Sequence, residues 1–287
     1  MPDNSQYVQI NVGVGPPRGI VRRGPLPGTS RHVRHAPIDA LRGFVEHFWF
    51  IAWNLGDAPP YAAATLQHPS VHLAFEDGGS RIVGVMTKRF ETVLSGRGRV
   101  FGVKFRPGGF RPWLGRAVAT ITDRRIAPAD VFGRAITSLD AAITACDDEL
   151  AMIERATAFL VAHLPPPDPN VERAAALAAS IAAEREITRV EQLVASSGLE
   201  RRALQRLFRE YIGVSPKWVI NRYRLHEALE QIAAGDAIDW TRLALDLGYF
   251  DQAHFIRDFR RLVGVSPGAY ARGAKEGRGP ASSDSAR

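Results

Sequence analysis

The sequence reads as an α+β chain: a β-rich front part, then an all-α C-terminal part with two helix-turn-helix units joined by a long helix. Three observations point there. Short aromatic or β-branched runs alternate with glycine-rich breaks between about residues 40 and 115, a helical pattern takes over after about 138, and an internal repeat lies near the C terminus. The 287 residues are 45% hydrophobic and 23% charged, an ordinary globular balance, and the length suggests two domains of roughly 150 residues.

Residues 1–35 contain Pro16, Pro17, Pro25 and Pro27 among scattered arginines and are expected to form a loose lead-in. They lack the apolar core of a signal peptide. No apolar run approaches the ~20 residues needed to span a bilayer, so a cytoplasmic chain with no membrane contact is expected. Residues 36–137 form the β-rich domain. Strands are expected around 48–51, 71–75, 81–85 and 100–105, separated by Asp77-Gly78-Gly79, Ser95-Gly96-Arg97-Gly98 and Pro107-Gly108-Gly109. Short strands at such spacing suggest a small sandwich or a barrel. Residues 138–170 are a helical region and linker. Leu150, Ile153, Thr157, Leu160 and Leu164 predict a helix over 147–164, stopped by Pro165-Pro166-Pro167. It either pairs with its mate in a second subunit or packs on its own domain. Residues 171–271 carry the repeat, and 272–287 are expected to be a disordered tail.

The formal net charge is +7. An excess of cations favours a polyanionic partner, because it neutralises phosphates and releases counterions. Apart from Lys88, Lys104, Lys217 and Lys275 the positive side chains are arginines, whose planar fork suits phosphate and guanine, although a GC-rich genome also enriches arginine throughout. Cys146 is the only cysteine, which excludes an intrachain disulfide and a cysteine zinc site.

The repeat is the most informative feature. One copy runs Val190-Glu191-Gln192-Leu193 … Gly198-Leu199 … Leu204 … Phe208 … Gly213-Val214-Ser215-Pro216. The other runs Trp240-Thr241-Arg242-Leu243 … Gly248-Tyr249 … Phe255 … Phe259 … Gly264-Val265-Ser266-Pro267. The Gly-Val-Ser-Pro blocks lie 51 residues apart and the earlier glycines 50, so the second turn is one residue longer. A glycine at 198 or 248 can take the left-handed conformation that stops a helix. Ser215 or Ser266 can cap the next helix, with proline in its first turn. Each copy is thus a helix-turn-helix.

The second helix of each copy has two faces. In copy one Leu204, Leu207, Phe208 and Tyr211 make an apolar stripe, opposite Arg201, Arg202, Gln205, Arg206 and Arg209. In copy two Phe255, Phe259 and Leu262 face inward, and the matching outer positions are Gln252, Ala253, Ile256, Arg257 and Arg260. One polar face is commonly just solvated; two with the same spacing behind capped turns point to a ligand. An exposed Ile256 would find a partner in a thymine methyl. Between the copies, residues 216–234 make a helix of ~28 Å. Successive major grooves on one face of DNA lie ~34 Å apart, so such a rod could seat two recognition helices in neighbouring grooves.

Residues 171–271 resemble the DNA-binding domain of the AraC/XylS family of transcription regulators. The resemblance rests on residues 204–209, both Gly-Val-Ser-Pro blocks, Gly248-Tyr249-Phe250-Asp251-Gln252, Phe255 and Phe259. It implies a sequence-specific DNA-binding transcription regulator whose single chain reads two adjacent major-groove segments. Carried over by position, it implies base contacts by Arg202, Gln205 and Arg206 in the first unit and by Gln252, Ala253, Ile256 and Arg257 in the second. Ala253 and Ile256 cannot donate hydrogen bonds, a departure from polar readout. Arg201, Arg209, Arg222, Arg224, Arg260 and Arg261 are the candidates for phosphate contacts, which position without specifying. The C-terminal segment 171–287 is expected to bind DNA without the front part.

Family members commonly carry a sensing or dimerising β-barrel ahead of this domain, so the front part is expected to be cupin-like, and its text around 100–110 resembles an uncharacterised sensor-like domain. Double-stranded DNA is the expected partner; RNA polymerase, a small effector and a second copy of the chain are further candidates. The effector site is not legible. Phe44, Phe48, Trp49, Trp53, Phe75, Phe90, Phe101, Phe105 and Trp113 line a pocket or pack a core. His68, His72 and Glu76 would share a helix face, but on a strand positions four apart lie ~13 Å from each other, too far to share a metal. No catalytic constellation, metal site or cofactor motif is found, so no enzyme activity is expected. The alternatives are an enzyme, such as a DNA-repair protein, with an appended DNA-binding module, or a regulator whose front part binds a protein.

Overall fold

Alternation decides which side of each front-part strand is buried, because successive side chains on a strand point to opposite faces. In the computed structural model, which describes residues 6–14, 20–21, 26–234 and 238–275, the strands are β1 (Gln6–Val12), β2 (Ile20–Val21), β3 (Thr29–His35), β4 (Val45–Asn54), β5 (Tyr61–Thr65), β6 (His72–Glu76), β7 (Arg81–Val83), β8 (Phe90–Leu94), β9 (Arg97–Phe105) and β10 (Arg125–Ile126). They divide into a seven-stranded sheet, ordered β1-β3-β4-β9-β6-β7-β10, and a three-stranded sheet, ordered β2-β5-β8. Neither sheet closes on itself, so of the two expected forms a single closed barrel is excluded.

The lead-in is more ordered than its prolines suggest. β3 pairs antiparallel with β4 from Thr29↔Asn54 to His35↔Phe48, and β1 runs parallel to β3. The cross-strand ladder supplies what composition does not advertise: β3 is mostly polar, and only Val33 and Arg34 in it are buried. Arg31 ties the strand to Glu149 at 2.6–2.7 Å.

One face of the large sheet carries Val33, Phe48, Phe50, Leu73, Phe75, Phe101 and Val103, all buried. The chain continues through α1 (Arg111–Leu114), α2 (Ala129–Phe132), α3 (Ala135–Thr144) and α4 (Glu149–Ala162). Ile136, Leu139 and Ile143 of α3 and Met152, Ala156 and Leu160 of α4 join the same core. Each large apolar side chain buried there contributes about 1.5–3 kcal/mol. The stripe expected on α4 is met in part: Leu160 is buried and Ile153 rests on the core, but Leu150 is exposed, and Met152 and Ala156 face inward. In this structure α4 therefore packs on α3 of its own chain.

The opposite face of the large sheet mixes Trp49, Ile51 and Trp53 with polar side chains. Arg34, His47 and Lys104 are buried there, and the register sets Lys104 opposite both His47 and His72. A bulge between Val45 and His47 leaves Glu46 as an extra residue, turned so that Lys104 Nζ donates to its Oε1 at 2.8 Å. Arg34 Nε donates to His47 Nε2 at 3.2 Å. Burial, and then Arg34 and Lys104 in turn, hold His32 down to about 4 and His72 to about 3. Burial also lowers His47 to about 4 against the pull of Glu46. Burial raises the Glu46 carboxyl, but Lys104 and His47 outweigh it and keep it well below the usual carboxylate range.

The C-terminal part contains α5 (Pro169–Ala183), α6 (Val190–Ser197), α7 (Arg201–Leu207), α8 (Pro216–Ala233), α9 (Trp240–Asp246), α10 (Gln252–Val263) and α11 (Pro267–Lys275). α11 runs into the expected tail, whose remaining residues, 276–287, lie outside the described residues. The cores do not divide where the sequence suggests a boundary. One runs from the sheet through α3 and α4 to α5, α6, α7 and the start of α8, ending at Ile220. The second gathers Leu225, Ala228, Leu229, Leu243, Phe255 and Phe259 together with Ala64 and Leu66 of the front part.

Candidate nucleic-acid interface

Each unit is built by local signals. α6 stops at Gly198, with φ 66°, and α9 is followed by Gly248, with φ 79°. Asp251 then caps α10, its Oδ1 accepting from the His254 amide at 2.6 Å. Asp239 caps α9 by accepting from the amides of Thr241 and Arg242 at 3.0 Å. Gly213 and Gly264 end the second helices at φ 96° and 93°. Ser215 Oγ accepts from the Trp218 amide at 3.2 Å, and Ser266 Oγ from the Ala269 amide at 3.3 Å. These capped ends satisfy amides that helix starts leave without partners. The second helices differ in form: α7 passes into a π-helical turn, Phe208–Ile212, before its stop, whereas α10 is α-helical throughout.

The inward stripes are buried as the pattern requires: Leu204, Leu207, Phe208 and Tyr211 in the first unit, and Phe255, Phe259 and Leu262 in the second. Outward, Arg201, Arg202, Gln205, Arg206 and Arg209 are exposed, as are Ala253, Arg257, Arg260 and Arg261. Arg201 pairs with Glu191 at 2.8 Å. Arg261 Nε donates to Asp258 at 3.2 Å. Gln252 is half-buried, and the Thr241 hydroxyl donates to its Oε1 at 3.0 Å. Ile256 is also half-buried, resting on the second core, so only part of it faces out.

Two expected phosphate contacts are misplaced by the sequence reading. Arg222 and Arg224 are only 2% and 0% exposed. Arg222 Nη2 donates to the Thr87 carbonyl at 2.8 Å, and its guanidinium lies over the Trp218 ring at 4.4 Å. Burial, with Arg261 nearby, lowers its pKa to about 10. Arg224 donates to the Ile181 carbonyl and pairs with Glu227 at 3.0 Å. The reason is the position of α8. It is the central helix of the domain, with Val219, Ile220, Leu225, Ala228, Leu229 and Ile232 all buried. Spacing carries the signal: Arg222 follows Val219 and precedes Leu225 by three, and Arg224 lies four from both Ile220 and Ala228, inside the apolar stripe.

The front part reaches both units close to the glycine that ends the second helix, one residue out of step between them. Thr122 Oγ1 donates to the Gly213 carbonyl at 2.7 Å, and Arg89 Nη1 to the Val263 carbonyl, one residue before Gly264, at 2.6 Å. Arg111 Nε donates to Glu210 at 2.7 Å. His68, considered above as a metal ligand, instead stacks on His226 of α8 with centroids 4.1 Å apart. Among the described residues no group of three His, Cys, Asp or Glu side chains could hold a metal, and no helix is long and apolar enough to cross a membrane. Of the aromatic residues weighed as pocket lining, Phe48, Phe75, Phe101 and Phe105 are core. A shallow depression beside Phe50, Phe75, Glu76, Asp77, Arg99, Phe101, Ile143, Thr144 and Met152 encloses only about 10 Å³. That is far below the ~300 Å³ at which small-molecule sites usually begin.

Comparison with known proteins agrees with this geometry. Residues 193–273 match the family model described as "Helix-turn-helix domain", and residues 33–127 match one described as "Domain of unknown function (DUF6597)". The C-terminal part is thus a helix-turn-helix domain of the AraC type. The HTH-type transcriptional regulator MtrA of Neisseria gonorrhoeae is 33% identical over 82 residues, and the match spans 28% of this chain and 27% of that relative. A solved structure of ToxT from Vibrio cholerae aligns over 78% of this chain and 98% of its own, at 13% identity and a TM-score of 0.39. ToxT in its unsaturated fatty acid-bound form aligns over 88% and 92%, at 11% identity and a TM-score of 0.33. Likeness at that level carries no argument about this chain's ligands.

Proposed function

We propose that the chain is a sequence-specific DNA-binding transcription regulator, one chain reading two adjacent major-groove segments. One observation carries the reading: two helix-turn-helix units with matching glycine stops and a serine cap after each, each burying an apolar stripe and turning an arginine-bearing face outward. In this reading Arg202, Gln205 and Arg206 contact bases for the first unit. Gln252, Ala253, Ile256 and Arg257 do so for the second, and Arg201, Arg209, Arg260 and Arg261 hold phosphates. Arg222 and Arg224 are set aside as buried. The chain works in the cytoplasm, has no catalytic activity and has double-stranded DNA as its partner. RNA polymerase, a small effector in the front part and a second copy are secondary partners of the same reading.

Selection from random duplexes by the full-length protein tests it, followed by Arg206→Ala. The variant should lose about 1–3 kcal/mol on the selected site and relax one base position, with random-sequence affinity unchanged. Equal loss on random DNA would reassign Arg206 to phosphate.

A further inference from the structure

The two units do not present the same chemistry. Between the first-helix stop and the cap of the second helix stands one residue, Leu199, in the first unit and two, Tyr249 and Phe250, in the second. Leu199 and Tyr249 both pack inward: Leu199 lies half-buried against the first core, and Tyr249 is buried with its hydroxyl on Asp258 at 3.3 Å. Phe250 is therefore the inserted residue, and it is 88% exposed. It directly precedes the Asp251 cap of α10. On α10 Ala253 is exposed and Ile256, three residues on, is half-buried at the edge of the face that carries Phe255, Phe259 and Leu262, while Phe250 stands just before the helix. The corresponding stretch of the first unit is Arg201, Arg202, Gln205 and Arg206.

We infer that the second unit reads its DNA segment through an apolar stripe, Phe250, Ala253 and Ile256, seated on thymine methyl groups, while the first unit reads by hydrogen bonding. This rests on the DNA-binding reading above. Three facts select the occupant. Phe250 and Ala253 are exposed and Ile256 partly so, and the side chains of Ala253 and Ile256 have no donor or acceptor to offer a base. Exposed Arg257 and Arg260 flank it, so whatever covers the stripe is anionic around an apolar centre. In the major groove the 5-methyl of thymine is the apolar group among the base edges, bordered by phosphates. An apolar protein surface would bury both guanidinium groups without anions, which is costly. The operator segment under the second unit is accordingly rich in A·T pairs, and the segment under the first carries the guanines that arginine reads.

Replacing thymine by uracil tests this, because it removes the methyl and leaves every hydrogen-bonding group. On a site selected by the full-length protein and footprinted, uracil in the second unit's segment should weaken binding about four-fold for each contacted methyl, the transfer free energy of one carbon. Uracil in the other segment should cost nothing. Phe250→Ser, at a position too exposed to affect folding, should lose affinity on the thymine site and become insensitive to uracil at the position it touches; its melting curve checks the fold. Specific, two-segment binding with no uracil effect would overturn the inference and leave the DNA-binding reading standing. Unchanged affinity and unchanged uracil sensitivity in Phe250→Ser would do the same. Failure to enrich any site would overturn both.

Discussion

A guanidinium in water and a guanidinium between packed helices obey different energetics, and the arginines of α7 and α8 illustrate both. Arg209 is exposed and free to trade its counterions for phosphate. Arg209→Ala should lower affinity similarly for all duplexes and reduce the slope of log affinity against log salt by about 1; a slope equal to wild type would remove Arg209 from the phosphate set. Arg222 instead holds the Thr87 carbonyl and covers Trp218. Truncating a buried, charge-assisted donor costs about 2–3 kcal/mol, so Arg222→Ala should lower the denaturant midpoint and leave the salt slope of the folded protein intact. A stable variant with a shallower slope would show that Arg222 does reach DNA. The arginines of α7 were legible because a long run of them faces away from Leu204, Leu207 and Phe208. Those of α8 were not, because arginine is read as a surface residue. The apolar neighbours at three and four positions that bury these two outweigh that rule when a helix has packing on several sides.

Helix ends carry the repeat's geometry, and most of them follow from short motifs. The Gly-Val-Ser-Pro blocks announce stops and caps that the backbone obeys, and the structure adds Asp239 and Asp251 as caps of α9 and α10. Asp251→Ala should destabilise α10 by about 1 kcal/mol. Gly264→Ala should cost more than that, because φ is 93°, a conformation that L side chains rarely adopt. Thermal or denaturant unfolding of the two variants checks the order; an inert Gly264→Ala would show that the backbone stop does not require the left-handed conformation. Other elements were hidden. β3 is polar along most of its length and exists because β4 offers it a ladder. β5 is largely alanine and β8 largely exposed, so neither shows the alternation that marks a half-buried strand. The π-helical turn after α7 has no signature in residues 208–212. On α4 Leu160 and Ile153 turn to the core as expected, but Leu150 and Leu164 do not, and Met152 and Ala156, weaker signals in the sequence, take part instead.

Both hydrophobic cores draw on the front part and the C-terminal part together, and Thr122 and Arg89 grip the two units at carbonyls beside their second-helix stops. The isolated segment 171–287 would lose Ala64, Leu66 and those donors, so it should melt well below the full chain, contrary to the independence its repeat suggests. Equal melting temperatures would contradict the shared cores. The polar side chains on the mixed face of the large sheet add a pH dependence. His32, His47 and His72, facing Arg34, Lys104 and Glu46, have folded pKa values of about 4, 4 and 3 against an ordinary 6.5. The unfolded chain therefore binds more protons between those limits, and stability rises with pH there. It should be fully present above pH 6.5 and fall progressively towards pH 4, with protonation of Glu46 adding further loss below its ordinary range. A flat denaturant midpoint from pH 7 to 4 would show these histidines to be solvated. The proposal that one chain lays two recognition helices along one face of a duplex faces its most direct test in hydroxyl-radical and methylation footprinting of the full-length protein on its selected site. Two protected major-groove segments, centred about one helical turn apart, ~34 Å, on the same face, are the predicted result. Protection of a single segment, or of two on opposite faces, would contradict it.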